Sequence, residues 1–171
     1  MEELAQIVIQ NNYTIKNNGY TYLEFWKLYL HPNLIEQTIH QKAKELNLFL
    51  QQYDLLCGIA CSGIPIVTIL HNMFHKPFII SENSEEYGRI IKDNIPLNSN
   101  IKILVVDSIV NRGATFTNFE IWNDKNYQVN SDYFSIVFND TMNKKNYTPA
   151  FKKINKDNRY FYFYRLSDLL N

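Results

Sequence analysis

Apolar and polar positions along this chain follow two rhythms, one helical and one of strands, and the switches between them outline its elements. Leu4, Ile7 and Val8 recur at helical spacing, so residues 2–11 are predicted as a short amphipathic helix. "GYTYLEFWK" alternates weakly and is rich in aromatics, which predicts a strand from about Tyr20 to Trp26. Pro32 stands where a first helical residue belongs. After it Ile35, Ile39, Ala43, Leu46, Phe49 and Tyr53 hold one stripe for roughly five turns. "DLLCGIA" (54–60) reads as a buried strand, "IPIVTILHNMF" (64–74) as a helix and "KPFIIS" (76–81) as a third strand. "IKILVVD" (101–107) is almost wholly apolar, as in a strand covered on both faces. Phe116, Phe119, Ile121 and Trp122 then mark a helix over 114–123. "DYFSIVFN" (132–139) and "RYFYFYRL" (159–166) are further strands, and a short helix closes "SDLLN". The polar tract 82–100 has no sustained period and is predicted as a long mobile connection. The basic tract 144–156 is predicted as a solvated loop, or a contact for an anionic partner. Strands alternating with helices imply an α/β architecture: a mainly parallel sheet flanked by helices.

Composition narrows the class without naming a function. At 171 residues the chain is expected to form a single domain, 1–171. Its formal net charge is zero, so no global field draws it to nucleic acid or an anionic membrane. The apolar runs are too short to span a bilayer and the N-terminus lacks the marks of a signal peptide, so a cytoplasmic protein is expected. Cys57 and Cys61 stand alone, as free thiols do in a reducing compartment. His71 and His75 are four apart on one helix but find no third ligand, so no metal site is expected. Tyr20, Tyr22, Phe25 and Trp26 form an aromatic cluster that can stack on a base, pack a hood or meet a second copy. A homodimer is the expected assembly.

Two strand-to-helix turns carry the candidate chemistry: "GIACSGIP" (58–65) and "DSIVNRGAT" (107–115). In each, a glycine allows close backbone approach and the next helix offers unpaired N–H groups suited to phosphate. Asp107, at the carboxyl end of its strand, can accept hydrogen bonds from sugar hydroxyls or hold a metal indirectly. Arg112 offers a forked cation and Thr115 a hydroxyl. Both stretches also suit ordinary βα turns that need a small residue and a cap. Neither matches the dinucleotide-binding fingerprint or the Walker pattern.

"ILVVDSIVNRGAT" resembles the phosphoribosyl pyrophosphate (PRPP) motif of type I phosphoribosyltransferases, and within that family is most similar to orotate phosphoribosyltransferases. The resemblance runs in order over nearly the whole chain. "YTIKNNGYTYLEFWKLYLHPNLI" is similar to the family's N-terminal segment, "DLLCGIACSGIPIVTIL" to its pyrophosphate strand, loop and helix, "EEYGRII" to the end of its catalytic loop and "YRLSDLL" to its C-terminal helix. It implies the family's fold with a small N-terminal hood, and an enzyme that transfers phosphoribosyl from PRPP to a nucleobase with release of pyrophosphate. It also implies roles. Asp107 falls on the acid that contacts the ribose hydroxyls, with Ser108 beside it, and Asn111, Arg112, Gly113, Ala114 and Thr115 fall on the 5-phosphate loop. Ala60, Cys61, Ser62 and Gly63 fall on the pyrophosphate loop, and Lys16 on the lysine that reaches the diphosphate. Mg²⁺ would arrive with PRPP.

The sequence departs from the family at three places. The second acid of the motif is Ser108; the loop that should carry Arg-Lys and a further Lys reads "SENSEEYG"; and Thr117 stands where an Arg often meets the carboxylate of orotate. Glu82, Glu85 and Glu86 would repel pyrophosphate, leaving Arg89 or Lys92 to compensate if the loop folds differently. A non-catalytic PRPP- or nucleotide-binding regulatory protein on the same fold, and a phosphoribosyl hydrolase, are the alternative readings.

Overall fold

A computed structural model describes residues 2–17, 19–31, 33–86, 88–91 and 97–171. Helix α1 (Glu2–Gln10) buries Leu4 and Val8, and a hairpin of β1 (Thr14–Asn17) and β2 (Tyr20–Leu23) follows. A 3₁₀ helix (Phe25–Leu30) comes next, so the strand predicted to Trp26 stops at Leu23 and a 3₁₀ turn completes it. The five-turn helix is two helices, α2 (Leu34–Gln41) and α3 (Ala43–Leu50), broken at Lys42. Their apolar stripe is continuous in sequence because Ile39, Leu46 and Leu50 enter the same core. Pro32 lies outside the described residues.

The remaining chain builds a six-stranded sheet. Strands β3 (Leu55–Ile59), β4 (Phe78–Ser84), β5 (Gly88–Ile91), β6 (Lys102–Val110), β7 (Asn130–Phe138) and β8 (Tyr160–Arg165) lie in the order β5-β4-β3-β6-β7-β8. All pairs are parallel except β4–β5. The mainly parallel α/β sheet expected from the sequence is therefore present. Helices α4 (Gly63–Phe74), α5 (Ala114–Asn126), α6 (Pro149–Lys156) and α7 (Leu166–Leu169) complete it. Parallel strands need crossovers, and the crossovers cover both faces. On one face Leu56, Leu104, Val106 and Phe134 pack with α1–α4 and α7; on the other Cys57, Val105 and Tyr133 pack with Phe116 and Phe119 of α5 and Phe151 of α6. Each such buried aliphatic or aromatic side chain contributes roughly 1.5–3 kcal/mol.

Two predicted loops contain ordered elements among the described residues. Within 82–100, β4 runs on to Ser84 and β5 returns against it, with Ser81 opposite Ile91, Glu82 opposite Ile90, Asn83 opposite Arg89 and Ser84 opposite Gly88. Four-residue strands in a polar tract lack the length for a visible period, so this hairpin is written by pairing rather than pattern. Within 144–156, Thr148 caps α6 through its side chain, which accepts from the Phe151 N–H, and Pro149 opens the helix. Phe151 and Ile154 are buried beneath the lysines. At the sheet end where β7 and β8 begin, Arg159 forks onto Glu120 of α5 at 2.7 and 3.2 Å, and Tyr133 also donates to Glu120.

The hairpin has a direct test. In the ligand-free protein, the hydrogen-bonded amides of 82–84 and 88–91 are expected to exchange at least about tenfold more slowly than those of Glu85 and Glu86 at the turn. Uniformly fast amide exchange across 82–91 would remove β5 from the sheet.

Candidate functional site

The two candidate turns meet at the carboxyl end of the sheet, the usual ligand side of an open α/β fold. Adjacent parallel strands β3 and β6 pair from Leu55 opposite Ile103 to Gly58 opposite Val106, so their following turns emerge side by side. Gly63 makes the approach possible. A Cβ there would lie 2.2 Å from the Val106 carbonyl oxygen, inside any real contact distance. With no side chain, the start of α4 rests directly on β6. The Ala60–Cys61 peptide before it is cis.

Asp107 joins the turns. Its Oδ1 accepts from the Ser62 hydroxyl at 2.6 Å and from the Ser108 N–H at 2.7 Å. The residue is 6% exposed. Burial raises its carboxyl above the ordinary carboxylate range, while the Ser62 and Ser108 hydrogen bonds and the Arg89 charge act in the opposite direction. The Ser108 hydroxyl is buried without a hydrogen-bond partner among the described residues. It stands where the sequence resemblance expects a second acid, and a carboxylate in that dry position would be costly.

Beyond Asp107 the chain wraps a concavity of about 180 Å³ lined by Asp107 and residues 109–116. Gly113 turns the corner with φ of 73° as the residue before α5, packed so closely on Phe151 that a Cβ would lie 2.1 Å from its ring. The first N–H groups of α5 therefore open toward the concavity. Thr117 is not available to it, because its hydroxyl donates to the Gly113 carbonyl at 2.9 Å and bonds Thr148. Arg112 is exposed at the rim.

The structure thus brings together Asp107, Ser108, Asn111, Arg112, Gly113, Ala114 and Thr115 with Ala60, Cys61, Ser62 and Gly63. Lys16 lies on β1 opposite Thr21, whose carbonyl accepts from Asn139, and its exposed side chain makes no hydrogen bond or ion pair among the described residues.

Three more residues belong to its frame: Tyr29 and Asn139, which the sequence did not single out, and Arg89, which it named only as a cation that could compensate. Tyr29 donates to the Ser62 carbonyl at 2.7 Å, and burial and the Asp107 charge raise its hydroxyl pKa so that it remains a donor. Arg89, on β5, donates to the Ala60 carbonyl at 2.7 Å. Asn139, fully buried after β7, donates to Asn111 Oδ1 at 2.7 Å and to the Thr21 carbonyl of β2 at 2.8 Å. It fastens the 111–115 turn to the hairpin. Each reaches the site from an element distant in sequence, so the motif of neither turn announces it. Lys92, the other cation considered for this region, lies outside the described residues. Cys57 is buried, which raises its thiol pKa, and Cys61 is exposed. Among the described residues no helix is long and apolar enough to cross a membrane, and no three His, Cys, Asp or Glu side chains gather as a metal centre.

A mainly parallel sheet in this order, with helices on both faces and a hairpin before it, is the fold of type I phosphoribosyltransferases. The sequence matches no protein-family model and no curated protein. Among solved structures, the chain is similar to the UMP synthase of Leishmania donovani (TM-score 0.71, 16% identity, 98% of this chain and 36% of that one). It is similar to the orotate phosphoribosyltransferase of Aeropyrum pernix (TM-score 0.67, 14% identity, 98% and 96%). It is also similar to the adenine phosphoribosyltransferase of Saccharomyces cerevisiae, solved with D-2,5-dideoxy-2,5-imino-altritol 1,6-bisphosphate and adenine (TM-score 0.62, 15% identity, 96% and 99%). The chain spans about a third of the UMP synthase and nearly all of the other two. At these identities the likeness is one of fold, and it extends alike to an orotate and an adenine enzyme.

Proposed function

We propose that this protein is a PRPP-dependent phosphoribosyltransferase. The observation that carries the reading is the Ser62–Asp107 hydrogen bond, which locks two oxyanion-suited turns around one carboxylate at the mouth of a concavity. PRPP presents a phosphate at one end, a diphosphate at the other and vicinal hydroxyls between them. The α5 start with 111–115 suits the 5-phosphate, Asp107 the ribose hydroxyls, and the 60–63 turn the diphosphate. A nucleobase nitrogen attacks C1 of the ribose, the C1–O bond breaks, and pyrophosphate leaves with the bonding electrons while the base gives up its proton. Charge grows on the leaving group and on the cation-like sugar, so positioning and charge neutralisation supply the rate. Among the described residues Asp107 is the one carboxylate bonded into the two turns, which fits Mg²⁺ held mainly by substrate oxygens. Bound there, the ion would neutralise diphosphate charge.

The acceptor we propose is a base without the carboxylate of orotate. A desolvated carboxylate needs a cation, and Thr117 is neutral, with its hydroxyl already committed to Gly113 and Thr148. Steady-state assays with Mg²⁺-PRPP and a panel of orotate, uracil and purine bases test both statements. Pyrophosphate release on a base other than orotate is the expected result. A kcat/KM on orotate of about 10⁴ M⁻¹s⁻¹ or more, ordinary for an enzyme on its own substrate, would overturn the acceptor assignment. No PRPP binding at all would overturn the reading.

A further inference from the structure

We propose that Arg89, held in the sheet by β5, is the cation that receives the departing pyrophosphate in place of the lysines that the 82–87 tract lacks. The inference rests on the assignment of the 60–63 turn to the diphosphate.

The placement of Arg89 is built, not incidental. Its backbone pairs with Asn83 across the β4–β5 ladder, so the guanidinium starts from a strand and not from a loop tip. The residue before it, Gly88, has φ of 74° and lies so close to α5 that a Cβ would stand 2.3 Å from Asn118 Nδ2. That contact pins the hairpin against the helix that opens at the 111–115 turn. From this strand the half-buried side chain reaches across β4 to the end of β3, where Nη1 meets the Ala60 carbonyl at 2.7 Å. Ala60 opens the turn whose Ser62 holds Asp107, so the cation is bonded to the first residue of the proposed diphosphate seat.

Its partner there is a neutral carbonyl, which orients the group without cancelling its charge. One of five guanidinium donors is spent on that bond, and a fork of this kind matches phosphate oxygens bidentately. Burial lowers the pKa of Arg89, and the Asp107 carboxylate opposes that shift, so the two charges sense each other across the site. Glu85 and Glu86, by contrast, sit exposed in the turn between the paired strands. Two of the three acids that made the sequence look hostile to pyrophosphate thus stand at the turn, while Glu82 lies on β4 opposite Ile90, next to the Asn83–Arg89 pair.

Three variants divide charge from position. Arg89→Gln keeps a donor for the Ala60 carbonyl and removes the charge, Arg89→Lys keeps the charge and loses the fork, and Arg89→Ala removes both. Calorimetry with inorganic pyrophosphate and, separately, ribose 5-phosphate, both with Mg²⁺, supplies the readouts. Arg89→Gln and Arg89→Ala are expected to weaken pyrophosphate binding at least tenfold, Arg89→Lys to recover part of it, and all three to leave ribose 5-phosphate within about twofold of the parent. Unchanged pyrophosphate affinity in Arg89→Gln overturns the role of Arg89 and leaves the assignment of the turns standing. So does an equal loss of both ligands, which would mark a structural effect. Failure of the parent protein to bind either ligand overturns both the assignment and the role. Amide exchange of 88–91 in Arg89→Lys confirms that the hairpin persists where the binding is measured.

Discussion

Gly63→Ala is expected to destabilise the protein by about 3 kcal/mol or more, at the upper end of what overpacking a core costs. The added Cβ would lie 2.2 Å from the Val106 carbonyl oxygen, 3.2 Å from its carbon and 3.4 Å from Asp107 Cα. All three are backbone atoms of β6, which β3 and β7 grip from both sides, so they cannot yield. The helix must yield instead, and α4 carries Ile66, Val67 and Leu70 into the core. Gly58 supplies the control. A Cβ there meets Val67 Cγ2 at 2.6 Å, a side-chain atom and not the backbone of a gripped strand, so Gly58→Ala should cost less. Chemical denaturation of both variants checks the order. Gly63→Ala within about 0.5 kcal/mol of the parent would mean that α4 does not rest on β6.

Asp107→Asn is expected to make the ligand-free protein more stable at neutral pH while removing most of its PRPP affinity. The amide is isosteric and its oxygen can still accept from Ser62 and the Ser108 N–H, so the turns remain joined. Only the charge goes. Burial raises the carboxyl pKa in the folded protein, so between the unfolded and folded values the native state holds a proton that the unfolded chain has released. Stability therefore falls as pH rises through that interval, and the cost is complete once both states are ionised. The variant escapes this cost, and its advantage should shrink as pH is lowered toward the ordinary carboxylate range. Its loss of a charged hydrogen-bond acceptor should weaken PRPP binding by about 1.5–3 kcal/mol, or roughly tenfold to 150-fold. Denaturation across pH and calorimetry with Mg²⁺-PRPP test the two halves. A variant less stable at pH 8 with unchanged affinity would remove Asp107 from the site.

The parts of this molecule legible in its sequence are those whose burial is complete. "IKILVVD" could be nothing but a strand covered on both faces, and the central position of β6 is the reason. The turns after β3 and β6 were visible because glycine, acid and hydroxyl residues follow apolar runs abruptly. Elements that escaped are short or half-wet. The β1 strand buries none of its four residues, so "TIKN" shows no alternation. Strand β5 has four residues and hid in the polar tract before β6. Helix α6 carried a Thr-Pro start signal, but lysines around Phe151 and Ile154 disguised its buried face. Sequence proximity set the same limit on the site. Asp107 and 111–115 adjoin one another, whereas Tyr29, Arg89 and Asn139 join only when the sheet assembles.

Asn139 ties the β1–β2 hairpin to the 111–115 turn. One buried amide holds Asn111 with one hydrogen and the β2 backbone with the other, while its own oxygen takes the Thr141 hydroxyl at 2.7 Å. Whatever displaces Asn111 from that amide alters the footing of the hairpin, and whatever lifts the hairpin loosens Asn111. Linkage is reciprocal, so a ligand seated on the turn and a ligand seated under the hairpin must change one another's affinity by the same factor. The protein behaves as a two-handed latch in which the order of arrival alters the path and never the total.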